Sequence, residues 1–190
     1  MKRSTWIATV IFLALAGRLF YLNQREPTEE AVEITPPAPV EFLFTDSDGT
    51  PTSIDIRSGN GEQVVIARNE AGAWVLEKPI EAEAPQGGEA DQASAEAAAS
   101  QLTSLRIESR PEVAPEAAGL IQPSYILNVE MAGGTKKTVR IGDLTPTGIG
   151  YYAQINGSDE TLIINRTGLD ALFTLLESPP YVEPIATKMP

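Results

Sequence analysis

The chain contains neither cysteine nor histidine. Without cysteine there is no disulfide to staple the fold, no thiol nucleophile, no thiolate metal site and no lipid-modified thiol. Without histidine, every His-dependent triad and every His-ligated zinc site is excluded. A folded domain built from this sequence must rely on its core alone. Cations are also few, with 14 Lys and Arg against 26 Asp and Glu. All the acids lie beyond position 25, where ten cations remain, so that part carries a net charge of −16. Such a surface argues against nucleic acid and against docking on anionic lipid, both of which attract basic proteins. Acids scattered in this way serve solubility first.

What is present begins with an apolar run, Trp6 to Leu22, interrupted by the single charge of Arg18. A helix over it spans about 17 residues, the lower end of the ~17–25 that cross a bilayer core of ~30 Å. Lys2 and Arg3 precede the run, and Glu26, Glu29, Glu30 and Glu33 follow it. Charge asymmetry of this sense puts the N-terminus in the cytoplasm. Residues 1–23 therefore read as a cytoplasmic start and a single-pass membrane anchor, with the C-terminal domain extracytoplasmic. Arg18 lies near the outer end, where its guanidinium can reach the headgroups, and Trp6 and Tyr21 stand at the two interfaces. The alternative is a signal peptide cleaved after Ala16, at the small-residue site Ala14-Leu15-Ala16, which would release a secreted protein. Residues 24–39, rich in Glu and Pro, read as a charged, semi-extended tether.

Residues 40–178 carry the signals of one extracytoplasmic domain. Alternation predicts strands at Val40 to Thr45, Ser53 to Arg57, Gln63 to Arg68 and Trp74 to Lys78, joined in hairpin order by turns at Asp46-Ser47-Asp48-Gly49, Gly59-Asn60-Gly61 and Asn69 to Gly72. After a loop from Pro79 to Gly88, the strong helix formers of Glu89 to Leu105 predict a helix that buries Ala95, Ala98, Ala99, Leu102 and Leu105. Arg106 to Arg110 extends, and Pro111 to Pro123 is irregular. A second strand group follows. Tyr125 to Met131 turns at Gly133-Gly134 into a strand carrying Val139 and Ile141, and Tyr151 to Ile155 pairs with Thr161 to Asn165 around Asn156-Gly157. Thr167, with Asp170 three residues on, predicts a capped helix with a core stripe of Leu169, Leu172, Phe173 and Leu176. Ser178-Pro179-Pro180 ends it. Residues 179–190 read as a loose Pro-rich tail. The expected fold is α+β: mostly antiparallel sheet with two helices, preceded by one N-terminal transmembrane helix. Val40 to Leu105 and Tyr125 to Glu177 share one order of elements, so the domain is expected to hold two repeated ββββα units.

No catalytic, cofactor-binding or metal-binding residue emerges. Asp46-Ser47-Asp48-Gly49 starts like a calcium loop, but Thr50 and Pro51 follow and no bidentate Glu closes it, so a plain turn is the better reading. Glu81 and Glu83 read as solvated loop charges. A Ser/Lys nucleophile needs Lys78, Lys136 or Lys137 buried beside a serine, whereas Lys136-Lys137 follows a hairpin and is expected to be exposed. The stretch from Gly142-Asp143 to Gly148 and Gly150 lacks the Gly-Lys-Ser/Thr of a phosphate cradle. Asn156-Gly157-Ser158 and Asn165-Arg166-Thr167 match glycosylation acceptors and read instead as a turn and a helix cap.

From Trp74 the order Trp-x-Leu-x-x-Pro, a spacer, and a helix ending in Leu-x-x-Leu resembles the bacterial domain of unknown function family 4340. The likeness continues through Gly119-Leu120 with Pro123, the strand ending in Ile141-Gly142, and the Tyr152-Ala153 hairpin leading to Gly157. It covers roughly residues 70–176 and extends to the N-terminal anchor. The resemblance implies a single-pass cell-envelope protein, some of whose relatives occur with ABC-type transport or gliding-motility components, and it assigns no catalytic residue. Trp74 is expected to be buried, Pro79 to end a strand, and Gly119 and Gly142 to make turns. The expected function is a non-enzymatic interaction component of an envelope or transporter complex, using sheet edges or the tether. The alternatives are a ligand- or glycan-binding module near Trp74 or Tyr151-Tyr152 and, below it, a carboxylate-dependent hydrolase. Retention of the anchor is checked by intact mass: the membrane-extracted protein should have the mass of the whole chain, and a mature product starting at Gly17 would show cleavage.

Overall fold

The computed structural model describes residues 39–78 and 88–182, together with Arg18 and Phe20. The rest of the anchor and tether, Pro79, Glu81, Glu83 and the tail beyond Val182 lie outside the described residues. Among the described residues no helix is long and apolar enough to cross a membrane.

Ten strands and two helices make one α+β unit: β1 (Glu41–Phe42), β2 (Pro51–Ser58), β3 (Gln63–Arg68), β4 (Trp74–Lys78), β5 (Gly88–Glu89), α1 (Gln92–Thr103), β6 (Arg106–Ser109), β7 (Tyr125–Met131), β8 (Lys136–Leu144), β9 (Gly150–Ile155), β10 (Leu162–Asn165) and α2 (Arg166–Glu177). All the strands belong to one sheet of order β1-β6-β10-β9-β8-β7-β2-β3-β4-β5. Every pairing is antiparallel.

Period-2 alternation decides what each strand buries. Ile54 and Ile56, Val64 and Ile66, Leu127 and Val129, and Val139 and Ile141 all face one core. Ala95, Ala98, Ala99 and Leu102 of α1, with Leu105 just beyond it, meet that core from the helix side, as do Leu169, Leu172 and Leu175 of α2. The alanine face of α1 brings its backbone close to the sheet. On the opposite face, the connection between β6 and β7 crosses β8. Ala118 and Leu120 are fully buried there, and Asp143 N–H donates to Ala118 O at 3.0 Å. Gly142 lies under this crossing within β8, not in a turn as expected, because a Cβ there would stand 2.0 Å from Ala118 O.

Four local expectations need correction. The strand beginning at Val40 does not form a hairpin with β2; it pairs with β6 at the far end of the sheet, Glu41 opposite Ile107. Asp46–Asp48 is a short 3-10 turn, and Asp48 Oδ2 accepts Thr45 N–H at 2.8 Å, which redirects the chain without reversing it. The first helix starts at an Asp91 cap, whose carboxylate accepts Ser94 N–H at 2.8 Å. Gly88–Glu89 pairs with β4 instead, and the Gln92 amide continues that ladder by bonding both N–H and C=O of Trp74 at 2.8 Å. The second helix has Asn165, not Thr167, at its N-cap position. Asn165 Oδ1 accepts Arg106 N–H at 2.7 Å, the two Asp170 oxygens accept the Tyr151 hydroxyl at 2.7 Å and Arg166 Nε–H at 2.9 Å, and the third helical residue is Gly168, which has no side chain to close a capping box. Finally, the tail is tied down at its start: Asp91 N–H donates to Pro180 O at 2.9 Å, and Tyr181 bridges Ala90.

The two strand groups meet at the centre of the sheet, where β2 pairs with β7, and each meander runs outward from that pair to a 12-residue helix. Ser58 N–H donates to Glu62 O and Gly61 N–H to Ser58 O; adding 73 to each number gives the bonds of the other hairpin, Met131 N–H to Thr135 O and Gly134 N–H to Met131 O. Gly61 and Gly134 both have positive φ, 97° and 80°. Beyond the helices the offset becomes 74. Ile107, after α1, stands opposite Ile164 of β10, and Tyr181, after α2, stands opposite Ala90 beside β5. Each group thus supplies chain that closes the other, strand β6 in one case and the Tyr181 bridge in the other. Truncation after Ser178 should cost about 1–2 kcal/mol, the worth of one or two net hydrogen bonds. Hydrogen exchange should show faster exchange at Asp91 and β5 with the β6–β10 end unchanged.

Candidate functional site

The end of the sheet at β1 combines an open backbone edge with a groove. Leu43 N–H donates to Leu105 O at 2.8 Å, and Glu41 lies opposite Ile107. In an antiparallel ladder the hydrogen-bonded residues alternate, so the N–H and C=O of Phe42 turn away from β6. Among the described residues no strand pairs with that side of β1. Val40 and Phe42 are 58% and 40% exposed. Beside them lies a groove of about 470 Å³, lined by Phe42, Phe44, Thr45, Asp46, Gly49 and the end of α1 at Thr103 and Ser104. Its apolar part is the two phenylalanines. Its polar rim is Asp46 and a helix C-terminus whose last turn holds no basic residue, so both carry negative character.

A polar network fixes the groove from beneath. Lys137 occupies a core-side register position opposite Val129, and its ammonium meets Asp48 Oδ2 at 2.7 Å and Leu43 O at 3.4 Å. It stands 5.3 Å over the Phe44 ring. Thr45 Oγ1 donates to Asp48 Oδ2 at 3.0 Å and lies 2.7 Å from Ser47 Oγ. The hydrogen bond from Lys137, then that from Thr45 N–H, holds the Asp48 carboxyl below the usual aspartate range. On the other side of β1, Arg110 pairs with Glu41 and reaches Glu160 at 3.1 Å. Lys136 is exposed as expected and pairs with Glu130 at 3.0 Å. Lys137 is not: its side chain is 23% exposed. Its ammonium is directed at a carboxylate and a carbonyl, so the hydroxyls of Ser47 and Thr45 have no free amine beside them.

The other positions singled out in the sequence are not brought together. Trp74 is 1% exposed, donates from Nε1 to Glu96 at 2.8 Å and has Arg68 4.4 Å over its ring. Tyr151 packs edge-on to Phe173, and burial followed by its bond to Asp170 pushes its phenol up to about 12. Both serve the helix–sheet contact and neither lines the groove. Among the described residues no group of acids is placed to hold a metal ion. Asn156-Gly157 makes the β9–β10 turn, with Gly157 at φ 86°. On the outer face, Gln63, Asp55, Asn128 and Thr138 form a ladder of side-chain bonds of 2.8–3.1 Å beside a shallow cavity of about 270 Å³, and these groups satisfy one another. The groove itself was missed in the sequence because Thr103 and Ser104 lie far along the chain from Phe42. The available signal was Phe42 and Phe44 two apart before a polar turn.

Asp48 contributes stability that is present above the ordinary aspartate value of 3.8 and is lost as the pH falls through it toward the lowered one. Lys137→Met should cost about 1–3 kcal/mol, the range for removing one partner of a charged, half-buried hydrogen bond. Denaturant melts at pH 6 and pH 3 should show a smaller loss on acidification in Asp48→Asn than in the parent. Comparison of the chain with protein-family models, with curated proteins and with solved structures gives no match.

Proposed function

We propose that this chain is a non-enzymatic, membrane-anchored extracytoplasmic domain that docks a protein of the cell envelope, such as a component of an ABC-type transporter, along the β1 edge. The observation that carries this reading is the outward-turned backbone of Phe42 beside an apolar groove. Sheet edges of this kind accept an added strand: main-chain bonds supply affinity and side-chain pockets supply selection. The edge begins at Val40, directly after the acidic tether in the sequence. The apolar run Trp6 to Leu22, with basic residues before it and acids after it, supports the single-pass topology.

The architecture is proposed to consist of two copies of one ββββα unit, β2–β5 with α1 and β7–β10 with α2. Its support is the constant offset of 73 between hairpins and of 74 around the helices. In this reading β5 takes the place expected of the Val40 strand, and β1 stands outside the repeat. Halves that fail to superpose at these offsets would end it.

Crosslinking in intact cells followed by purification in mild detergent tests the docking reading. The parent should bring down one envelope protein, and Phe42→Asp should lose most of that yield while its thermal melt stays close to the parent's. A chain recovered alone under several crosslinking chemistries would overturn the proposal.

A further inference from the structure

We infer that the segment docked at this edge is an extended, cationic stretch of the partner, laid beside β1 with a lysine or arginine stem across Phe42 and its charge between Asp46 and the C-terminal end of α1. The inference rests on the docking reading above and specifies the chemistry of its occupant.

Three features point to a cation. The groove is lined by two phenylalanines, the Asp46 carboxylate and a helix end whose last turn holds no basic residue. Asp46 makes no ion pair among the described residues. An aromatic face attracts a cation, and a long stem covers apolar surface while its head reaches a carboxylate. The domain already builds this arrangement twice from its own residues: Lys137 lies over Phe44 and ends on Asp48, and Arg68 lies over Trp74 and ends on Glu96. Phe42 and Asp46 line the groove beside the first of these, and Arg106, opposite Phe42 on β6, is engaged by Glu108 at 3.0 Å and does not line the groove.

Charge also selects among occupants. The tether of this chain carries Glu26, Glu29, Glu30 and Glu33, which the rim repels. A second copy brings an edge with the same acid at Asp46, its Glu41 being held by Arg110. With a net charge of −16 beyond Arg25, the domain attracts a basic segment at long range and orients its approach.

Two measurements on the full chain test this. In nanodiscs of neutral lipid, a fluorescein-labelled peptide alternating valine with arginine should bind about tenfold or more tightly than its valine–glutamate counterpart, and should weaken steeply as salt is raised. Asp46→Lys should reduce its binding about fivefold or more. Equal binding of the two peptides, or no effect of Asp46→Lys, would overturn the inference. In intact cells, a photocrosslinking residue at position 42 should capture a basic segment of an envelope protein. Capture of a neutral or acidic segment, of the tether or of a second copy would overturn the cationic assignment. Capture of nothing from position 42 or from the control position Ile121 would overturn the docking reading with it.

Discussion

The pairing of β2 with β7 is the constraint on which the rest of the fold depends. It joins two meanders that otherwise share no consecutive strands, and its register is held from both faces. On the core side Ile54, Ile56, Leu127 and Val129 are at most 2% exposed. On the outer side Asp55 takes bonds from Asn128 and Gln63, and Thr138 extends the ladder onto β8. A slip of β2 by one residue would turn Asp55 into the apolar layer and Ile54 and Ile56 into water. Both helices lie on the floor this register creates, so the position of each meander's helix is settled at the centre and carried outward strand by strand.

With no disulfide available, the outer strands need another restraint. Exchange of closing strands provides one: β6 leaves α1 to complete the side of the sheet that holds β10, and Pro179–Val182 leaves α2 to reach β5. Neither group is complete without chain from the other, which makes the ends cooperative with the middle. The side holding β6 is the stronger because it has four residues and the Asn165–Arg106 bond, whereas the opposite side relies on a single bridge and a few main-chain contacts.

Most of the regular structure was legible in the sequence because it depends on near neighbours. Alternation at Ile54/Ile56 and Leu127/Val129, the Gly61 and Gly134 turns, and the alanine stripe of α1 needed only local spacing. What could not be read depends on partners distant in sequence. The Val40 strand had a plausible hairpin partner in the strand that begins at Ser53, and only the fold brings Leu105 and Ile107 beside it. Asp170 looked like a capping residue until Tyr151 arrived from β9. Lys137 looked solvated because its hairpin is exposed, yet the pleat aims it toward Asp48, 89 positions earlier. The candidate groove failed to appear for the same reason, since one wall begins the domain and the other ends a helix more than fifty residues later.

Among the described residues, both ends of the ten-stranded sheet finish in strands of two residues. An open sheet this wide would ordinarily be prone to stack end against end with its own copies, because long flat margins offer repeated main-chain bonds to any passing strand. Margins this short offer a like margin few repeated bonds, so an occupant must gain the rest of its hold from side-chain contacts beside the strand. The brevity of both margins works against the growth of ribbons or fibrils at high local concentration.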